Sequence, residues 1–382
     1  MTAIEVGKSA MKETAQAFEQ ATAHIRKDSK VVFFFASTIY NYEQLVSLFC
    51  EKFPQANVVG VTTVGEINEH GIQENSLTVS AFSGADLQVA AVFMENIHKF
   101  PIFQRNDLIR AAQSIGMNVQ SPTPEKEGFA IVLQNGLIHA EERLLSIVNS
   151  VFTSEGFPVF GGTAGDDAHF VETKTSLNER ISTTSGVVIF LKTAADMKMY
   201  KESIFEPYKE DVLVATKVDV EERKVYEFNG QPAAAEYARV LETTVPKLAS
   251  QFMAHPLGFV SKHLSVGSPM CVNDDGSISF YCQVARNAEM KVLKPMDVLQ
   301  TMDHTVATLQ HDFERIDGVF AINCILRKLQ FQQTNMLPAV NERFRQMGNV
   351  FGFCSYGEQL QNEQINQTLV LLAIGKRNGA SQ

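Results

Sequence analysis

Three stretches of the sequence repeat one plan: VVFFFASTIYNYEQLVSLFCEKFPQANVVGVTTVGEI at 31–67, FAIVLQNGLIHAEERLLSIVNSVFTSEGFPVFGGTAGDD at 129–167, and VFAINCILRKLQFQQTNMLPAVNERFRQMGNVFGFCSYGEQ at 319–359. Each opens on a continuously apolar run, the pattern of a strand covered on both faces. A polar break follows, then apolar residues at helical spacing, such as Leu144, Leu145, Ile147, Val148 and Val151. A second β-rich run then ends in a glycine-containing turn. Beyond the turns lie further strand-like runs: SLTVSAF and LQVAAVF, then SGVVIFL, then QTLVLLAI. The pattern predicts an α/β fold of mixed β-sheets, built from repeated strand–helix–strand units with added antiparallel strands. The spacing of the copies is too long and irregular for a solenoid.

The chain has 382 residues, enough for two or three domains at roughly 150 residues each. The charge-rich stretch AADMKMYKESIFEPYKEDV breaks the repeat pattern and predicts a boundary there, dividing the chain into 1–200 and 201–382. Downstream, VATKVDVEERKVYEFNG reads as two strands and AAAEYARVLE as a helix. Asn273-Asp274-Asp275-Gly276 reads as a turn between strands, and PMDVLQTMDHTVATLQHDF as a helix. The N-terminal MTAIEVGKSAMKETAQAFEQATAHIRK reads as an amphipathic helix without the apolar core of a secretory signal.

Composition narrows the function classes. A formal net charge of −10 argues against nucleic acid or an anionic membrane as partner, since both require a concentrated basic face. No apolar run of about 18 residues occurs, so no membrane-spanning helix is expected. The five cysteines (Cys50, Cys271, Cys282, Cys324, Cys354) are odd in number, scattered and never spaced C-x-x-C. That usage predicts reduced, mostly buried thiols in a cytoplasmic protein rather than a zinc ribbon or disulfide framework.

The turns carry the candidate chemistry. Gly60-Val61-Thr62-Thr63-Val64-Gly65-Glu66 and Gly352-Phe353-Cys354-Ser355-Tyr356-Gly357-Glu358 share one pattern, and Gly161-Gly162-Thr163-Ala164-Gly165-Asp166 is the same turn one residue shorter. One reading is architectural: the glycines supply φ > 0 and the carboxylates cap backbone N–H groups. The other places Glu66, Asp166 and Glu358 at equivalent strand ends facing a ligand cleft, where they would hold an ammonium or other cationic donor with Thr63, Thr163 and Ser355 as neutral partners. Glu66 stands where a phosphate-binding loop has lysine, which disfavours a nucleotide triphosphate. No G-x-S-x-G elbow or H-E-x-x-H helix is present, so the sequence offers no positive sign of an enzyme. Cys324-Ile325-Leu326-Arg327 ends the apolar strand of the third copy. It reads either as a thiol activated by arginine or as a core cysteine beside a paired arginine. His304 and His311 share a helix face about 10 Å apart, too far to bind one metal together. Covalent c-type haem is excluded by the lack of C-x-x-C-H. Noncovalent haem needs one axial ligand and apolar walls, which 27 Phe and 13 Met could furnish; His255, where HPLGF meets a rigid turn, is the first axial candidate.

Taken together, the turns VGVTTVGEI and FGGTAGDD, the Cys324-x-x-Arg327 strand end, HPLGF and FGFCSYGEQ resemble the FIST family, in which an N-terminal FIST domain is paired with a C-terminal one. The resemblance covers nearly the whole chain from Asp28 onward. It implies a FIST N-like sensory domain at 1–200, a FIST C-like domain at 201–382 and an intracellular ligand-sensing role in signal transduction. The chain also resembles the NosP branch, bacterial haem proteins that sense nitric oxide. That implies noncovalent haem and a separate histidine kinase or cyclic-di-GMP enzyme as partner, no output domain following before Gln382. The alternative within the family is a sensor of an amino acid or other polar metabolite without haem, through Thr63, Gly65, Glu66, Gly162, Thr163, Gly165, Asp166, Cys324, Arg327, Ser355, Gly357 and Glu358. Where the family often has Asp before Gly-Leu, this chain has Asn135-Gly136-Leu137, which removes one charge from the expected cleft.

Overall fold

The computed structural model describes residues 2–260 and 264–379. The repeats form three six-stranded mixed sheets with one common strand order. In the first sheet, Val31–Ala36 and Asn57–Thr62 are parallel neighbours joined by helix Tyr42–Lys52, and Leu77–Ser83 runs antiparallel to Val31–Ala36. In the second, Phe129–Gln134 and Val159–Thr163 are parallel across helix Glu141–Asn149, with Gly186–Lys192 antiparallel beside them. In the third, Phe313–Cys324 and Val350–Ser355 are parallel across helices Ile325–Gln333 and Leu337–Gln346, with Thr368–Arg377 antiparallel.

The copies are interlocked by exchange. The hairpin after each turn adds to a neighbour's sheet: Glu66–Asn68 pairs with the third sheet, Thr175–Leu177 with the first and Glu358–Leu360 with the second. An outer strand is exchanged in the opposite sense, Gln88–Met94 joining the second sheet and Asp196–Ser203 the third, while Ala3–Ser9 closes the first. The cycle is complete, so no copy can fold its whole sheet alone.

This explains the continuously apolar strands. Phe33 and Phe35 of the first sheet, Phe160 of the second and Phe351 and Phe353 of the third surround Phe320. Ring centroids lie 5.9 Å from Phe320 for Phe33, 5.3 Å for Phe35, 5.2 Å for Phe160 and 5.1 Å for Phe351. The alternate residues Val32 and Phe34 point the other way, into a layer with Ala17, Phe18, Leu45 and Phe49 of the helices. Both faces of such a strand are therefore dry, and period-2 alternation disappears from it.

Two compact units result, and they are not two contiguous halves. The chain leaves the first unit after Lys201, close to the boundary read from the sequence, but returns to it for Met302–Glu363 and again from Leu369. The second unit is Glu202–Thr301 with Gln364–Thr368. It is a nine-stranded sheet, centred on Leu213–Asp219, Lys224–Phe228 and Glu289–Pro295, that packs Tyr237 and Val240 of helix Ala233–Val240 against Leu213, Val225, Phe228 and Val292. The Asn273–Gly276 turn joins two of its strands, as read.

One element corrects the sequence reading. The N-terminal segment is a strand, Ala3–Ser9, followed by a helix only from Thr14 to Thr22. The free edge of Leu77–Ser83 offers seven paired positions to the β-alternating AIEVGKS, and Glu13 caps the helix through Ala15 N–H and Gln16 N–H. A sheet edge thus overrides helical spacing here. Among the described residues no helix is long and apolar enough to cross a membrane.

Candidate functional site

The three turns meet at the carboxyl ends of the three parallel strand pairs, where ligands bind in open α/β sheets. Backbone bonds stitch them together. Val64 N–H donates to Cys354 O at 3.1 Å and Cys354 N–H to Gly65 O at 2.7 Å; Gly165 N–H donates to Thr62 O at 2.9 Å and Thr163 N–H to Gly357 O at 3.0 Å. Gly65 sits at φ 122°, and a Cβ there would lie 2.9 Å from Gln73 O, so glycine is demanded by both conformation and space.

All three carboxylate residues are buried, Glu66 and Glu358 completely. Glu66 is fully buried. It accepts the Thr63 hydroxyl on one oxygen, and on the other Ser76 N–H at 3.1 Å and Ser76 Oγ at 2.5 Å. Burial pushes its carboxyl up to about 8, with those hydrogen bonds opposing the rise. Glu358 is equally buried and accepts Ser355 Oγ at 2.7 Å. Cys324 and Arg327 are also interior: the guanidinium Nε donates to Asn323 Oδ1 at 3.0 Å and lies over the Phe331 ring. Burial pushes the neighbouring Cys354 thiol up to about 12.

Asp166 differs. Its Oδ2 accepts Val171 N–H at 2.6 Å and Glu172 N–H at 2.9 Å, its Oδ1 accepts Phe170 N–H at 2.9 Å, and the Tyr356 hydroxyl donates to the same oxygen. Burial works against its charge, but these donors outweigh it and hold the carboxyl below the usual range. The next residue, Asp167, accepts Ser37 Oγ, Thr38 N–H and Thr38 Oγ1 at 2.8, 2.7 and 2.6 Å. The loop so pinned holds Asp167, Ala168 and Phe170 at φ 51°, 65° and 56°, backbone conformations that non-glycine residues adopt at a cost. Asn135 belongs to the same construction. Its amide donates to Thr173 O at 2.9 Å and Thr183 O at 2.7 Å, a double donation that Asp at this position could not make.

Against this loop lies an open cleft of about 660 Å³, walled by Thr38, Asn41, Glu43, Thr62, His169, Glu172 and Lys174. Lys174 Nζ sits 2.8 Å from Glu43 Oε1 and 3.4 Å from Glu172 Oε1. The Glu43 interaction, foremost among its causes, raises the lysine and lowers Glu43. His169 Nδ1 lies 2.7 Å from Asp166 O, which leaves Nε2 as its other polar atom. The cleft thus offers cationic and anionic groups side by side. Of the residues picked out from the sequence, Asp166 lines it, its carboxylate already used by the loop; Thr63, Gly65, Glu66, Gly162, Thr163, Gly165, Cys324, Arg327, Ser355, Gly357 and Glu358 form the stitched floor and interior. Sequence reasoning missed Lys174, Glu43, Glu172 and His169. A signal existed: in the first and third copies the hairpin begins at the carboxylate itself, Glu66 or Glu358, whereas in the second it begins only at Thr175. The residues inserted there build the cleft.

For haem, the donor fits and the surroundings do not. His255 Nδ1 lies 3.0 Å from Leu293 O, which suits an axial Nε2 ligand. Yet its ring packs 5.5 Å from Tyr208, and it lines neither the cleft of about 660 Å³ nor another of about 720 Å³. Of the phenylalanines expected as pocket walls, Phe33, Phe35, Phe160 and Phe351 pack on Phe320 instead.

Sheets exchanged in a cycle, with a polar cleft at the strand ends, define a mixed α/β module with a candidate ligand site. Comparison with known families makes this specific: the FIST N domain matches residues 30–231 and the FIST C domain residues 233–361. The chain belongs to the FIST family, whose domains are signal-transduction sensors of small ligands rather than catalysts. No curated protein matches the sequence. Among solved structures, a cyanuric acid hydrolase from A. caulinodans is similar over 98% of this chain and 100% of its own, at 7% identity and a TM-score of 0.38. A second cyanuric acid hydrolase gives 10% identity and 0.36 over the same shares. PurLQS from Thermotoga maritima gives 10% and 0.20, over 98% of this chain and 72% of its own. Likenesses this distant carry no functional weight.

Proposed function

We propose that this chain senses a small zwitterionic metabolite of the amino-acid class, bound in the cleft beside the Asp166–Lys174 loop, and reports it to a separate signalling protein such as a histidine kinase or cyclic-di-GMP enzyme. The observation that carries this reading is the charge pattern of the cleft. Lys174 and the His169 Nε2 can meet a carboxylate, while Glu43 and Glu172 can meet an ammonium. Ligand charges entering between Lys174 and its carboxylates replace an ion pair that already exists, so little unpaired charge is created. The loop's strained backbone makes it the element whose equilibrium such a ligand can bias, by as much as its affinity differs between loop states.

Isothermal titration with a panel of amino acids tests this. A binder is expected, with affinity falling about tenfold or more in Lys174→Ala, a loss of about 1.4 kcal/mol. Binding indifferent to Lys174→Ala and Glu172→Gln, or no binder in the panel, overturns it. The second reading, noncovalent haem responsive to nitric oxide, rests on the His255 hydrogen bond alone. A Soret band that shifts with nitric oxide and is lost in His255→Ala would carry it; a free-haem spectrum removes it.

A further inference from the structure

Asp166 and Asp167 are neighbours in sequence but are held by different copies of the repeat. Asp166 gathers the N–H groups of its own loop. Asp167 reaches across to the first copy, where its Oδ2 accepts three donors: Ser37 Oγ at 2.8 Å, Thr38 N–H at 2.7 Å and Thr38 Oγ1 at 2.6 Å. Ser37 is buried, and its Oγ accepts Ile39 N–H at 3.3 Å, which leaves its one proton for the acid. Donors converging on an ionised oxygen make the stronger class of hydrogen bond. These three follow strand Val31–Ala36 directly, at the carboxyl end of a parallel pair, where α/β sheets receive ligands. The other copies lack them. Register places Gln134 and Cys324 where Ala36 stands, so Asn135-Gly136 and Ile325-Leu326 replace Ser37-Thr38. Asp167 is equally particular, since Ile67 and Gln359 follow the acids of the other two turns. A donor set shaped for a carboxylate and the acid that fills it thus occur together, across two copies.

Thr38 also walls the cleft of about 660 Å³, so these donors stand at the edge of the proposed ligand site. A second cleft, of about 320 Å³, shares His169 with the first and is walled by Asp167, Ala168, Glu74 and Lys328. Lys328 Nζ lies 2.6 Å from Glu74 Oε1 and donates to Val64 O at 2.8 Å. That cleft offers a displaced Asp167 side chain both space and a cation, so leaving Ser37 and Thr38 does not strand its charge. Asp167 N–H donates to Thr63 O at 2.8 Å, which holds the backbone while the side chain turns. We infer that Ser37 and Thr38 form a carboxylate-binding site, that Asp167 is its built-in occupant, and that the carboxylate of a bound ligand takes the site by displacing Asp167. One ligand oxygen on Ser37 and Thr38 leaves the other for Lys174, which lines the same cleft. The identity of the ligand rests on the zwitterion reading above; the site itself does not. Occupancy by Asp167 lowers the apparent affinity for ligand by the fraction of molecules in which the site stands open.

Formate is the probe for the site, because in Asp167→Ala it replaces the missing carboxylate atom for atom. Asp167→Ala is expected to lower the melting temperature, and formate to restore it where formamide, or sodium chloride at equal ionic strength, does not. Combining Asp167→Ala with Thr38→Val should abolish that recovery. Recovery that is absent, or that survives Thr38→Val, overturns the site. Asp167→Asn keeps the shape and gives up the charge, and so tests displacement without emptying the site. Isothermal titration of an amino acid that binds the unaltered chain should show its affinity raised about tenfold in this variant. Unchanged or weaker binding there, with Lys174→Ala still weakening it, overturns displacement and leaves the zwitterion reading standing. A panel with no binder removes the zwitterion reading, and the formate result then upholds or overturns the site by itself.

Discussion

The turn of the first copy and that of the second start from nearly the same sequence and end with opposite uses of a carboxylate. In the first, Thr63 and Ser76 close around Glu66, and the acid is sealed in the interior with its pKa pushed up. In the second, the turn is one residue shorter, the register position of Thr63 is taken by Ala164, and the acid bonds no hydroxyl of its own turn. Asp166 instead gathers the N–H groups of Phe170, Val171 and Glu172 and stays ionised. A repeat can thus keep its backbone and, by one deletion and one insertion, convert an interior plug into the anchor of a cleft loop.

Breaking the second arrangement should have the largest effect. Asp166→Ala orphans three backbone donors and the Tyr356 hydroxyl, and urea denaturation should show a loss of about 4 kcal/mol together with loss of ligand binding. If stability falls by less than a quarter of that, Asp166 does not anchor the loop. The first arrangement is sharpened by pH. A carboxyl raised in the folded state binds its proton more tightly there than in the unfolded chain, so its contribution to stability is lost as pH rises from the unfolded value, near 4.5, through about 8. Between pH 5 and 8 the Glu66-dependent loss should total about 3 kcal/mol, and Glu66→Gln should flatten that part of the curve. An unchanged slope in the variant would falsify the buried-acid account.

Asn135→Asp tests the loop from its other end. It removes both donations to Thr173 O and Thr183 O and buries a charge, for an expected loss of about 2 kcal/mol. A melting temperature unmoved by the change would mean those carbonyls find other donors. The smallest effect belongs to Phe170→Ala. Its ring stacks on Tyr356 at 4.7 Å but is more than half exposed, so about 1 kcal/mol or less is at stake. Faster amide exchange confined to residues 166–174 is the expected signature.

Much of the frame was legible before any coordinates. Continuous apolar runs marked the doubly covered strands, and helical spacing marked Tyr42–Lys52 and Glu141–Asn149. The glycine turns marked where strands end. These are local properties, set by solvent exclusion and by φ restrictions acting over a few residues. The N-terminal strand was not legible, because AIEVGKS becomes a strand only when the edge of Leu77–Ser83 is there to pair with it.

The candidate site divides along the same line. That Glu66, Asp166 and Glu358 occupy equivalent turns follows from the sequence alone, because equivalent turns need the same glycines and end the same kind of strand. Which of them faces a cleft was decided by tertiary structure. The cyclic exchange of hairpins seals Glu66 and Glu358 completely under neighbouring sheets, while Asp166, buried as well, lies against the cleft. The residues inserted between Asp166 and Thr175 bring Lys174 to Glu43, far away in sequence. Charge pairing across copies depends on distances that only the assembled sheets create, and a linear pattern holds no record of them.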